Sequence, residues 1–150
     1  MTTGKPGVAT YLDRSEIPDH QSRALRRWWS AFTALLVAAI FVEAAFAGAM
    51  LSGSGWARTA HVATAGMLIV STTAAGLVCV FTLRRIQHGL KLGFILLALA
   101  TVIFLQAAVG ALSARGANLL WVHVPLGVAL VGFAAQAVAD ARRLQPSSRP

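Results

Sequence analysis

Hydrophobic residues of this chain gather into four long runs separated by short polar stretches. The runs cover residues 28–51, 61–83, 92–112 and 119–139. A helix needs about 20 residues to cross a hydrocarbon core of about 30 Å, and each run has that length. Apart from histidine, the only residue in the runs that carries a charge at neutral pH is Glu43. The pattern therefore predicts four membrane-spanning helices.

The connecting segments, residues 52–60, 84–91 and 113–118, are short. Helices joined by short loops pack as antiparallel neighbours, so we expect an all-α, integral membrane four-helix bundle. Residues 1–27 and 140–150 are predicted to be tails, the first of them flexible. The first apolar run is too long, and lies too far from the N-terminus, to be a cleavable signal peptide.

Composition agrees with a membrane protein. The 150 residues are 57% hydrophobic and only 12% charged, with a mean hydropathy of +0.67. Soluble domains are about a quarter charged, so too few charges remain here for a solvated surface. The net charge of +8 is not gathered into a long basic run, which argues against nucleic-acid binding. Cys79 is the one cysteine, which excludes an internal disulfide and a cysteine-based zinc site.

Basic residues are distributed unequally between the two sides of the predicted membrane. One side holds Lys5, Arg14, Arg23, Arg26, Arg27, Arg84, Arg85, Lys91, Arg142, Arg143 and Arg149, whereas the other holds only Arg58 and Arg115. The positive-inside rule therefore predicts that both termini are cytoplasmic and that the first and third loops face outward from the plasma membrane. Trp28 and Trp29 would mark the inner interface, and Trp56 and Trp121 the outer one.

The two halves of the chain show an internal repeat. A constant offset of 62 residues pairs His61 with His123 and Gly48 with Gly110 without a gap. We interpret the match as a duplication of a helix pair, so that the bundle consists of two parallel two-helix repeats.

The repeat places one histidine at the start of the second helix of each pair, near the outer interface. If a two-fold axis relates the pairs, the imidazoles of His61 and His123 face each other, as axial ligation of one haem iron requires. Zinc is the main chemical alternative, but it normally takes three or four donors, and the outer loops add no His, Cys or acid. Four glycines would leave room for a flat macrocycle: Gly48, Gly110, Gly66 and Gly127.

Other polar residues lie near the same level. Arg58 and Arg115, one in each repeat, are predicted to pair with haem propionates, the alternative being ordinary interfacial arginines. Glu43 lies roughly 12 Å below the outer end of its helix, so it should be protonated or paired. We expect a hydrogen bond from Glu43 to Gln106 at the haem edge. Glu43 would serve as a proton relay, as a contact to a quinone or haem substituent, or as a catalytic acid. The structural alternative is a buried carboxylic acid that only holds two helices together.

Two segments resemble the haem A synthase family, whose larger members contain two four-helix halves. Residues 104–116 (FLQAAVGALSARG), followed by His123 and Gly127, are similar to its third-helix stretch, and residues 47–55 (AGAMLSGSG), followed by His61, to the first-repeat counterpart. The similarity spans about residues 38–135. It implies a half-sized, single-bundle member in which His61 and His123 ligate haem b (protohaem IX).

The resemblance implies an oxidoreductase, but three features depart from the family pattern. Arg58 stands where the family has a catalytic glutamate, Val62 replaces a basic residue, and paired loop cysteines are absent. The sequence therefore predicts a haem-binding membrane protein that acts in electron transfer or haem modification and leaves catalysis open. The expected partners are the lipid bilayer, a quinone or a membrane redox protein, and a second copy or larger complex.

Two further hypotheses stay open. One is a haem-free accessory or assembly subunit of a larger membrane complex, in which the histidines only hydrogen-bond between helices. The other is a small proton-coupled carrier that uses Glu43. The carrier hypothesis is less favoured, because Glu43 is expected to be the single buried charge.

Overall fold

Four helices make up the protein, in a computed structural model that describes residues 19–146. They are α1 (Asp19–Leu51), α2 (Gly55–Thr82), α3 (Gly89–Ala114) and α4 (Leu120–Arg142). Each helix packs against the next, and α4 closes the ring by packing against α1, whereas the diagonal pairs do not meet. The predicted all-α four-helix bundle is confirmed.

The four helices are long and apolar enough to cross a membrane, as the hydrophobic runs predict. They extend beyond those runs. α1 begins at Asp19, more than two turns before Trp28, and α2 begins at Gly55 rather than at His61. Hydropathy marks the length that lies in the hydrocarbon, whereas a helix continues through polar residues until a cap ends it. Residues 19–27 are thus helical. Of the predicted C-terminal tail, residues 140–142 still belong to α4 and residues 145–146 form a short strand. Residues 1–18 and 147–150 lie outside the described residues.

The loops 52–54 and 115–119 close one end of the bundle with the same motif. Gly53 and Gly116 have positive φ angles of 90° and 100°. The amide of Gly53 donates to the carbonyl of Met50, that of Gly116 to Ser113, and the next amide in each case to the carbonyl five residues earlier. These are Schellman caps, in which glycine adopts the left-handed conformation without steric cost. We call this end of the bundle the histidine end.

The opposite end, called the tail end, contains the start of α1, the loop 83–88 and the segment after α4. Two short strands pair there as an antiparallel ribbon: β1 (Ile86–Gln87) and β2 (Gln145–Pro146). Leu144, just before β2, is 1% exposed and packs into the hydrophobic core. The ribbon and this leucine hold the C-terminal segment over the tail end.

The core fills the tail-end part of the bundle. The buried residues closest to the histidine end are Ile40 on α1, Leu68 on α2, Ile103 on α3 and Leu130 on α4. Beyond them, Ala57 is the single buried residue of the described helices. The bundle is thus tightly packed at one end and more open at the end where the histidines lie.

α2 and α3 approach each other most closely at two glycines. A Cβ atom added at Gly93 would lie 2.8 Å from Val80 Cγ2, 3.0 Å from Val80 N and 3.1 Å from Cys79 Cβ, and one at Gly76 would lie 2.8 Å from Leu97 Cγ. In lipid, helices associate through such close packing, because lipid tails are as apolar as the side chains. Cys79 is fully buried in this interface, where it packs between the two helices.

We predict that Gly93→Ala lowers the free energy of unfolding in detergent by about 1–3 kcal/mol, since the new methyl group meets backbone and Cβ atoms. Gly132→Ala on α4 is the matched control, because nothing lies within 4 Å of the Cβ position there. Denaturant unfolding followed by circular dichroism measures both. Equal stability of the two variants would contradict the close α2–α3 approach.

Candidate functional site

Each helix brings one polar side chain into the interior at the histidine end. These residues, called the polar layer, are Glu43 on α1, His61 on α2, Gln106 on α3 and His123 on α4. All four are half-buried. Five buried side-chain atoms of the layer have no hydrogen-bond partner among the described residues: Glu43 Oε1 and Oε2, His61 Nδ1, Gln106 Oε1 and His123 Nδ1. The polar layer thus holds several buried polar atoms that a ligand at the histidine end could bind.

Glu43 lies against the first histidine. Its Oε1 atom is 3.1 Å from His61 Nδ1, and the side chains of Glu43 and His61 are 15% and 20% exposed. The distance is that of an ion pair, but the two groups are not aligned as a hydrogen bond. The contact involves Nδ1 and leaves His61 Nε2 on the other side of the ring.

Gln106 holds the second histidine through its backbone. Gln106 Nε2 donates a hydrogen bond of 2.7 Å to the carbonyl oxygen of His123. Glu43 Oε1 and Oε2 accept no hydrogen bond among the described residues, so the predicted hydrogen bond between Glu43 and Gln106 is wrong. The physical reason is that Glu43 lies against His61 on the adjacent helix α2, whereas Gln106 bonds to the adjacent helix α4.

The two hairpins share this arrangement. Glu43 and Gln106 lie equally far along the chain from their capping glycines, Gly53 and Gly116. Aligning the halves on the histidines shifts Gln106 by one position, because the segment from glycine to histidine is one residue shorter in the second hairpin. In each hairpin the first helix sends a polar side chain to the histidine of the second.

His61 and His123 lie on α2 and α4, which are diagonally opposite and make no direct helix–helix contact. Both residues lie near the start of their helices, at the histidine end, and each has a buried Nδ1 atom without a hydrogen-bond partner among the described residues. That the two imidazoles face each other stays a prediction.

The four glycines predicted to face a macrocycle fall into two groups. A Cβ atom at Gly110 would lie 2.9 Å from His123 Cε1, and one at Gly127 would lie 3.1 Å from Gln106 Nε2. These two glycines make room for side chains of the polar layer. Gly48 and Gly66 are exposed and have nothing within 4 Å of the Cβ position.

Two arginines and an aromatic pair surround the histidine end. Arg58, in the first turn of α2, and Arg115, the C-cap of α3, are both exposed. The rings of Phe46 and Trp56 pack edge to face with their centroids 5.9 Å apart, which joins α1 to the start of α2.

A second polar cluster, at the tail end, was missed by the sequence analysis. Lys91 Nζ lies 2.9 Å from Asp140 Oδ1, and Gln136 Nε2 donates a 3.0 Å hydrogen bond to Asp140 Oδ2. Asp140 is fully buried, so Glu43 is not the single buried acid that was expected. The signal available in the sequence was a pair of opposite charges at the same end of consecutive helices.

Within residues 19–146, no group of three or more His, Cys, Asp or Glu side chains is arranged to hold a metal ion. The three donors that a zinc site needs thus do not come together in that part of the chain. Compared with protein-family models, curated proteins and solved structures, the chain has no significant match. The likeness of its motifs to the haem A synthase family stays a prediction.

We predict that Gly110→Ala displaces the His123 ring and lowers the free energy of unfolding by about 1–3 kcal/mol, because the added methyl group overlaps the imidazole. Gly48→Ala, at the position that the predicted repeat pairs with Gly110, should have little effect, since its Cβ position is open. Unfolding in detergent compares the stabilities. A His123 ring resonance unchanged in the NMR spectrum of Gly110→Ala would contradict the contact.

Proposed function

We propose that the protein binds one b-type haem at the histidine end, with His61 and His123 as the axial ligands, and that it is a half-sized relative of haem A synthase. The observation that carries the proposal is the polar layer, in which the Nδ1 atoms of His61 and His123 are buried without a hydrogen-bond partner among the described residues. When bound, the haem iron would alternate between the ferric and ferrous states and so carry one electron.

The residues present fit such a group. A histidine that ligates a metal usually donates its other ring N–H to a carboxylate, carbonyl or water. Glu43 lies on the Nδ1 side of His61, so His61 Nε2 is the nitrogen available as a ligand. Large buried side chains stop at Ile40, Leu68, Ile103 and Leu130, so a macrocycle at the histidine end need not displace the packed core.

Glu43 and Gln106 support the two histidines in different ways. Glu43 Oε1 lies 3.1 Å from His61 Nδ1, and a hydrogen bond donated by Nδ1–H to this carboxylate would select the tautomer and fix the rotation of the ring. Gln106 acts on the backbone of His123 and leaves the Nδ1 atom of that ring without a carboxylate partner among the described residues. Glu43 is therefore a positioning residue in this proposal, and a role as catalytic acid is secondary.

Arg58 and Arg115 would bind the haem propionates. Both are exposed at the histidine end, Arg58 in the first turn of α2 and Arg115 at the C-cap of α3, and a guanidinium group pairs with a carboxylate through two parallel hydrogen bonds. The uneven distribution of basic residues supports a plasma-membrane orientation with the tail end in the cytoplasm and the histidine end outside.

The proposed activity is electron transfer or haem handling close to the outer face. A single haem at that level does not reach across the bilayer, so electrons would come from a membrane quinol, an external donor or a partner subunit. A haem-free accessory subunit is the second candidate, favoured by the Glu43–His61 contact, since that contact can join α1 to α2 without a cofactor.

We predict that protein purified from haem-replete cells has a sharp Soret band and split α and β bands on reduction. His61→Ala and His123→Ala should each abolish these bands, because each removes one axial ligand. His20→Ala, an exposed histidine at the tail end, is the control and should retain them. A colourless, well-folded wild-type protein would support the haem-free accessory subunit instead.

We predict that Glu43→Leu weakens haem binding roughly 10- to 100-fold, since loss of a partner that orients a ligand typically has this effect. Glu43→Gln should bind with intermediate affinity, because its amide oxygen still accepts a hydrogen bond. Val42→Leu, exposed on the lipid-facing surface, is the control. Haem titration of the apoprotein measures the affinities; equal values for Glu43→Leu and Val42→Leu would exclude the positioning role.

A further inference from the structure

The tail end carries a surface of basic side chains that come from separate parts of the sequence. Arg84 lies in the loop between α2 and α3, whereas Arg142 and Arg143 lie at the end of α4, and all three are exposed. The pairing of β1 with β2 joins this loop to the C-terminal segment. We call these three arginines, together with Lys91, the cationic surface.

Among residues 20–144, whose side chains the structure describes, Asp140 is the one acidic residue at the tail end; the other acid in this range, Glu43, lies at the histidine end. Asp140 is fully buried, and its two oxygens are engaged by Lys91 and Gln136. Arg143 is also close enough to interact electrostatically with this one carboxylate. Lys91 and Arg143 thus share the single negative charge of Asp140, whose two oxygens already accept hydrogen bonds from Lys91 and Gln136.

Lys91 takes part in the buried ion pair but still faces outward. Its side chain is 53% exposed, whereas that of Asp140 is 0% exposed. An ammonium group has three N–H donors, and the bond to Asp140 uses one of them. Lys91 therefore has donors left for a second anion beside the exposed arginines.

The position of the surface indicates what that anion is. It lies at the ends of four helices that are long and apolar enough to span a membrane, which is the level of the lipid headgroups. Arginine binds phosphate through two parallel hydrogen bonds, and basic sites between helices on the cytoplasmic side of membranes bind anionic headgroups. We propose that the cationic surface binds the phosphate group of an anionic phospholipid.

Two arginines at the opposite end provide a matched control. Arg58 and Arg115 are exposed and lie at the histidine end, so their replacement changes the net charge of the protein as much as replacement of Arg142 and Arg143. A general effect of charge would be equal for both pairs, whereas a specific site would respond to one pair. Lys91 and Asp140 are left intact, because they hold α3 against α4.

The test is native mass spectrometry of detergent-purified protein supplied with equal amounts of phosphatidylglycerol and phosphatidylcholine. We expect the wild type to retain phosphatidylglycerol in preference to phosphatidylcholine. In Arg142→Gln/Arg143→Gln this preference should fall roughly fivefold for each arginine replaced. Arg58→Gln/Arg115→Gln should behave as the wild type. Arg84→Gln, in the loop, tests the same surface if the double substitution disturbs the end of α4, and circular dichroism checks folding.

Absence of a lipid preference in the wild type would overturn the proposal, as would equal losses for the two arginine pairs. A loss only in Arg58→Gln/Arg115→Gln would do so as well, since it would move the lipid site to the histidine end. The assay needs no haem, so its outcome is independent of the proposed function.

Discussion

The structure depends on how the bundle satisfies polar groups inside a membrane. Water does not reach the hydrocarbon core, so a buried carboxylate, amide or imidazole must find its partner within the protein or in a ligand. Each helix contributes one such group at the histidine end: Glu43, His61, Gln106 and His123. Two interhelical contacts, one in each hairpin, partly satisfy them. The atoms that remain without a partner among the described residues are the chemical reason to expect a ligand there.

The two ends of the bundle have complementary roles. At the tail end, Gly76 and Gly93 let α2 and α3 approach closely, Leu144 covers the core, and Asp140 joins α3 to α4 through Lys91. Packing of this kind fixes the positions of the helices, and a site is held accurately only when its side chains stand on such rigid elements. The histidine end is more open, and Gly110 leaves space for the ring of His123.

The sequence was sufficient for the number and order of the helices, because four apolar runs of membrane-spanning length have few other solutions. It was not sufficient for their ends: α1 continues to Asp19 through polar residues that hydropathy does not identify as helix. The location of His61 and His123 at the same end of the bundle could be predicted from the sequence, whereas their pairing on one iron stays a prediction. The partner of Glu43 could not be predicted, since one residue of difference between the loops shifts Gln106, and Glu43 lies against His61 on the adjacent helix instead. The buried Asp140 was missed because it lies just beyond the last apolar run.

Electron paramagnetic resonance of the oxidised protein, purified from haem-replete cells, tests the central claim most directly. Ligation by both His61 and His123 predicts a low-spin ferric signal, because two imidazoles on opposite faces produce a strong ligand field. A high-spin ferric signal would mean that at most one of the two histidines binds the iron. Either that result or the absence of any haem signal from folded protein would contradict the account.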